Sequence, residues 1–340
     1  MKMEKTFKKI VSAVVSTVLG FSMITASQVF AKDGSKGDVQ ATNSTCLAIV
    51  PSKGGSTSLQ SMASDGRYIY VAKVNLKGDE DGSEARIYRY DTNGGNCKLI
   101  TNKNGKEYGN FGHAGDMTAI NYKGDTYLLV LEKIGKAALD RKIRDKEVKI
   151  GKKANVEKIK DYSSNKYTIV HILKVNNNNY EELQTILVET EIGSIAADFR
   201  DANNSSEQKK KLYLRTGKTI YKGSINMNNW NMVLDNSFKL NFDVGGCTTS
   251  QGMCHYGSNS CNQLDFVYSF NKNSGDKKKN IIVEYYLDKG TYAVFPINTN
   301  STKVDRFELE SCVYIGTTLY CCTDSQKGNY NYDAIYKTSY

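Results

Sequence analysis

The chain has 340 residues, with 46 Lys and Arg against 36 Asp and Glu, eight Cys, two Pro and 23 Tyr. That length holds one large or two medium domains, and 39% hydrophobic with 24% charged residues excludes wholesale disorder, collagen and a polytopic membrane protein. Two Pro beside 28 Gly exclude a Pro-rich linker architecture, and abundant Tyr, Asn, Thr and Gly favour strands and tight turns over helices.

Residues 1–31 read as a cleaved secretory signal. Lys2, Lys5, Lys8 and Lys9 form a basic start, Ile10 to Ala26 an apolar centre, and Val29-Phe30-Ala31 supplies the small residues that signal peptidase requires. An uncleaved anchor is the competing reading, but Ser12, Ser16, Thr17, Gly20 and Ser22 interrupt a run already short for roughly 30 Å of hydrocarbon. The expected product is secreted and extracellular. Cleavage removes four lysines and one glutamate and leaves a basic chain, drawn to anionic surfaces such as acidic lipids or phosphate-bearing wall polymers. Membrane contact is expected at the surface only, and nucleic acid is a poor partner because the compartment is wrong and no recognition motif is present.

Export also sets the reading of the cysteines. Cys46, Cys97, Cys247, Cys254, Cys261, Cys312, Cys321 and Cys322 all follow the cleavage site, and an even number outside the cell points to disulfides. Free buried thiols are the alternative. A metal site is disfavoured, because Cys247, Cys254 and Cys261 lie seven residues apart, which is no zinc-knuckle spacing.

Beyond an N-terminal extension, 32–57, one pattern recurs five times over 58–340: a polar start, a Met-like core residue, a turn and an alternating strand. The copies begin at Gln60-Ser61-Met62-Ala63, Gly115-Asp116-Met117-Thr118, Gly193-Ser194-Ile195-Ala196, Gln251-Gly252-Met253-Cys254 and Glu310-Ser311-Cys312-Val313. Asp65-Gly66 and Asn93-Gly94 are hairpin-type turns. Most copies stand about 55–60 residues apart, room for the four short strands of one propeller blade. The pattern predicts an all-β fold, a five-bladed β-propeller. A β-sandwich with look-alike hairpins is the alternative.

The longest interval contains a basic insertion, 133–160. It predicts a helix or a lysine-rich hairpin protruding from the second blade, with Lys142, Arg144, Lys152 and Lys153 as contacts for an anionic polymer or membrane. A merely solvated insertion is the competing reading.

At the five starts the chain resembles the helveticin J type of secreted bacteriocin. It is also similar to the propeller of teichoic acid biosynthesis protein C and of staphylococcal phage receptor-binding proteins. The carriers are Gly112-His113-Ala114-Gly115-Asp116-Met117-Thr118, which looks like a family Gly-His-Ala-Asn-Asp-Met-Thr segment with Gly for Asn, together with Ser250-Gln251-Gly252-Met253, Glu308-Leu309-Glu310-Ser311 and Asp333-Ala334-Ile335-Tyr336. The resemblance spans roughly 58–340. It implies a propeller that binds bacterial surfaces, through a cell-surface polymer or glycan, and contributes to killing. The alternatives are a non-toxic glycan- or wall-polymer-binding protein and a polysaccharide lyase or hydrolase.

In a propeller the five starts open the innermost strands, so Gln60, His113, Asp116, Ser194, Gln251 and Glu310 are expected around the axis. Such a ring suits a hard cation, a water cluster or a glycan; a hydrogen-bonded plug is the alternative. No other cofactor is expected. His113 and Asp116 are the candidates for acid–base work on a polysaccharide, whereas His171 sits in an apolar run as a strand residue. Adjacent Cys321 and Cys322 should face opposite sides of a strand, with Cys46 bonded to one of them where the two chain ends close the ring.

Overall fold

Tight turns between strands buried on both faces set the architecture. Lys123 (φ 51°) and Gly124 (φ 82°) adopt the left-handed conformation of a two-residue hairpin loop, and Tyr122 pairs directly with Asp125 across it. The computed structural model describes residues 41–75, 84–156, 166–244, 246–270 and 275–339. The expected signal peptide, and residues 32–40 of the N-terminal extension, lie outside them.

Among the described residues the strands group into five four-stranded units. An early strand, β1 (Ser44–Ile49), pairs with a late one and is taken up below. Blade 1 runs outward through β2 (Ser58–Ser64), β3 (Tyr68–Asn75), β4 (Glu84–Asp91) and β5 (Lys98–Asn102). Blade 2 uses β6 (Met117–Tyr122), β7 (Asp125–Gly135), β8 (Lys166–Asn176) and β9 (Asn179–Val188). Blade 3 uses β10 (Ser194–Ala197), β11 (Lys209–Thr216), β12 (Thr219–Asn226) and β13 (Met232–Lys239). Blade 4 uses β14 (Thr249–Gly257), β15 (Asn262–Ser269), β16 (Lys279–Tyr286) and β17 (Thr291–Asn298). Blade 5 starts with β18 (Arg306–Ile315), β19 (Thr318–Lys327) and β20 (Ala334–Thr338), and its outermost strand is β1.

The ring closes. Each innermost strand touches the next, β2 to β6, β10, β14, β18 and back to β2. One apolar core fills each gap between blades. Val71, Tyr88 and Met62 meet Cys322 and Ile335 between blades 1 and 5, and Ala72 and Ile87 meet Val130 and Leu173 between blades 1 and 2. Leu131 and Ile172 meet Ile195 and Leu214 next, then Ile220 meets Met253 and Phe266, and Val267 and Ile282 meet Leu309 and Cys312. A strand that feeds two cores reads as a continuous apolar run, and each fully buried Val, Leu or Ile contributes about 1.5–3 kcal/mol. The fold is a five-bladed β-propeller.

Three expectations change. The two chain ends close the ring as expected, but the boundary moves: the segment set apart as 32–57 supplies a blade strand, because β1 pairs antiparallel with β20, Cys46 opposite Tyr336. None of the expected disulfides is formed in the structure. Cys321 also lies opposite Tyr336, on the other side of it, so Cys46 and Cys321 are two strand spacings apart, roughly 9–10 Å, beyond the reach of a disulfide. Cys322 joins the opposite core.

The described part of the basic insertion does not protrude. After the helix α1 (Lys136–Arg144), Lys152 and Lys153 pair in parallel with Ile186 and Leu187 on the outer edge of blade 2, and Asn155 and Val156 pair with Val233 and Leu234 on that of blade 3. The insertion covers two sheet edges that would otherwise expose unpaired backbone groups. Residues 157–165 lie outside the described set.

Candidate functional site

The axis is occupied by one carboxylate. Asp116, fully buried at the start of blade 2, accepts from the Ile195 N–H of blade 3 at 3.0 Å, the Met253 N–H of blade 4 at 3.3 Å and the Ser311 hydroxyl of blade 5 at 2.9 Å. Burial pushes its carboxyl up to about 7, against the lowering effect of these donors and of the Met117 N–H. With no exposed face it cannot reach a substrate proton, so the acid–base role expected of it has no access. His113 lies half-buried on the loop leading into β6. A cation is equally ill-suited, since N–H and O–H donors surround the carboxylate. Among the described residues no group of three or more His, Cys, Asp or Glu is arranged to hold a metal. At the centre Asp116 ties the innermost strands of blades 2, 3, 4 and 5 together by hydrogen bonds.

Beta-bulges explain why the expected ring is displaced by one residue. Register shifts fall between Leu59 and Ser61, Ser250 and Met253, and Leu309 and Ser311, that is, within the starts of blades 1, 4 and 5. In blades 4 and 5 it is Gly252 and Ser311, not Gln251 and Glu310, that stand against Asp116. Gln60 donates to Ser58 Oγ at 2.6 Å, Ser58 to Asp324 at 2.7 Å, Arg306 to Asp324 at 3.0 Å and to Glu308 at 2.8 Å, and Gln251 to Glu308 at 2.7 Å. This network ties blades 1, 4 and 5 together. Glu310 is buried within it, its carboxyl driven well above the usual range by burial and by Glu308 and Asp324. Ser194 is fully buried, and its hydroxyl has no partner among the described residues.

An open cleft lies elsewhere, between blades 1 and 2. It has a volume of about 980 Å³ and is bounded by the segment 102–111, by α1 with the residues that follow it, and by β8 and β9. At its floor His171 Nε2 meets Glu132 Oε2 at 3.0 Å and Nδ1 meets Glu182 Oε1 at 2.7 Å. Burial alone would pull the imidazole down, but the bonds and charges of Glu132 and Glu182 outweigh it and push it up to about 9, so both nitrogens donate. Glu132 is also buried, which would raise its carboxyl; His171 and Lys142 together hold it below the ordinary range. Lys142 of α1 donates to Glu132 and is itself buried, so it is not the surface contact expected from its sequence neighbourhood. Of the other three lysines and arginines expected at the surface, Arg144 pairs with Asp145 at 3.1 Å, Lys153 with Glu189 at 2.9 Å, and Lys152 donates to Asn231 at 2.7 Å.

The cleft walls combine a half-exposed tyrosine, amides and charge. Tyr108 lines the cleft together with Asn102, Asn104, Asn110 and Gln184. Lys103 is paired with Glu181 and Arg141 with Glu147, whereas Lys106 and Lys149 have no ion-pair partner among the described residues. Such walls can hydrogen-bond hydroxyls, hold an apolar ring face and attract negative charge. An imidazolium saturated by two carboxylates binds or positions; it does not abstract protons at neutral pH.

No family model matches the chain, and no curated protein matches it. Among solved structures it is similar to a mutant GH43 protein, BlXynB, of Bacillus licheniformis, at 10% identity and a TM-score of 0.49, over 85% of this chain and 54% of that one. It thus spans about half the length of that protein. The native Bacillus subtilis arabinanase Arb43A gives 9% identity and 0.47, over 84% and 95% of the two chains. The catalytic domain of a Coprinopsis cinerea GH62 α-L-arabinofuranosidase gives 8% and 0.47, over 88% and 97%.

Proposed function

We propose that this chain is a secreted glycan- or wall-polymer-binding propeller, and that it holds an anionic polysaccharide or polyol-phosphate chain in the cleft between blades 1 and 2. The carrying observation is the cleft itself, about 980 Å³ with Tyr108, four amides, and Lys106 and Lys149, which have no ion-pair partner among the described residues. The full burial of Asp116, the carboxylate at the axis, favours binding over turnover. The basic composition and the expected export support an anionic ligand at a cell surface. The resemblance to helveticin J-type proteins points the same way; killing rests on that resemblance alone.

The test is adsorption of residues 32–340 to purified wall fractions and defined anionic glycans. Lys106→Ala with Lys149→Ala should weaken binding about tenfold at low salt and flatten its ionic-strength dependence. Tyr108→Ala should weaken it at every salt concentration. Binding indifferent to all three changes rejects the cleft. The same mixtures report release of reducing ends and growth inhibition of target cells, which separate a hydrolase and a toxin from a binder.

A further inference from the structure

We propose that Cys254 and Cys312 form a disulfide joining the innermost strands of blades 4 and 5. Their sulfurs lie 3.3 Å apart, and both side chains are buried in the core between those blades, with Val267, Ile282, Phe307 and Leu309. A disulfide needs about 2.05 Å, so the sulfurs must close by roughly 1.3 Å, within reach of side-chain rotation. The residues are 58 positions apart in sequence and belong to different sheets, so the bond would covalently link two strands that no backbone ladder joins. Cys321, which pairs with Cys312 across the β18–β19 ladder, is the competing partner.

The step belongs to folding. Burial pushes the Cys254 thiol up to about 11 and Cys312 well above its ordinary value, so the assembled core holds almost no thiolate. Before the two blades close, a thiolate from Cys254 attacks the disulfide of an oxidant, a small-molecule or protein disulfide, and expels one of its thiolates. The Cys312 thiolate then attacks the Cys254 sulfur of the mixed disulfide and expels the second. One S–S bond forms in the chain, one breaks in the oxidant, two electrons pass to it, and it leaves as two thiols carrying the two protons.

Full-length mature chain, reduced and unfolded, is refolded with oxidised and reduced glutathione, alkylated and digested for peptide mapping. The expected map shows a peptide pair linked through Cys254 and Cys312, lighter by two hydrogens, that disappears in Cys312→Ala. Chain folded first in reductant and then given the same oxidant should form that link at least tenfold more slowly. Alkylation of both residues after oxidative refolding overturns the proposal, as does a Cys312–Cys321 link in its place. If Cys312→Ala does not fold, the map of the unsubstituted chain decides by itself.

Discussion

At Gly252 a methyl group would lie 2.5 Å from Ser311 Oγ and 2.9 Å from Asp116 Oδ1. Neither neighbour is a long flexible chain, and both are held in the axial hydrogen bonds. Gly252→Ala is therefore expected to destabilise the fold by about 1–3 kcal/mol, measured by urea unfolding. Ser311→Gly in the same chain should recover part of that loss, and strict additivity of the two changes would refute the contact. The axial residues were half legible in the sequence. Asp116 stands out as a carboxylate ahead of a Met-like core position, in a series whose other members are Ser61, Ser194, Gly252 and Ser311. The bulges that turn Gln60, Gln251 and Glu310 away from it insert one residue without any change in composition, so alternation alone pointed to the wrong neighbours.

At the scale of the element, α1 shows why a charge run misleads. Leu139 and Lys142 are three residues apart, share one helix face and are both buried, the lysine against Glu132. Lys142→Ala removes one of the two cations on a buried carboxylate, and should cost on the order of 3 kcal/mol and speed proteolysis within 136–151. Cleavage no faster than in the parent chain would show that the pair does not hold the helix. The cleft was not legible, because its walls come from two blades and an insertion far apart in sequence. A usable trace did exist. Glu132 ends the run Leu128 to Leu131 and His171 interrupts Thr168 to Leu173, and polar residues inside two apolar strands that pair as a hairpin must find each other.

For the molecule as a whole, the buried acids decide the response to pH. Burial, foremost, holds Asp116, Asp265 and Asp324 at about 7, and Asp333 adds to the effect on Asp324. Unfolded aspartates release their protons near 3.9, so between those values the folded chain binds protons that the unfolded chain has lost, and stability falls as pH rises. His171, raised to about 9, stabilises fully below its unfolded value of about 6.5 and loses that contribution as pH rises through 9. Glu132, held low, acts oppositely, but only in the acid range. The thermal midpoint should therefore be highest near pH 5 and decline towards pH 9; a midpoint rising over that interval would contradict the buried acids. The five-fold architecture was the most legible level, since each blade repeats one pattern; closure by the two chain ends was legible too, although the segment that supplies β1 carries no copy of that pattern and was set apart as an extension.

The pairing of β1 with β20 has a consequence for biosynthesis. Asn43 and Ser339, 296 residues apart, meet beside that ladder, and no local contact can substitute for it. During translation β1 emerges first and waits without a sheet to join while the first four blades are made, so the ring can close only once β18, β19 and β20 have followed.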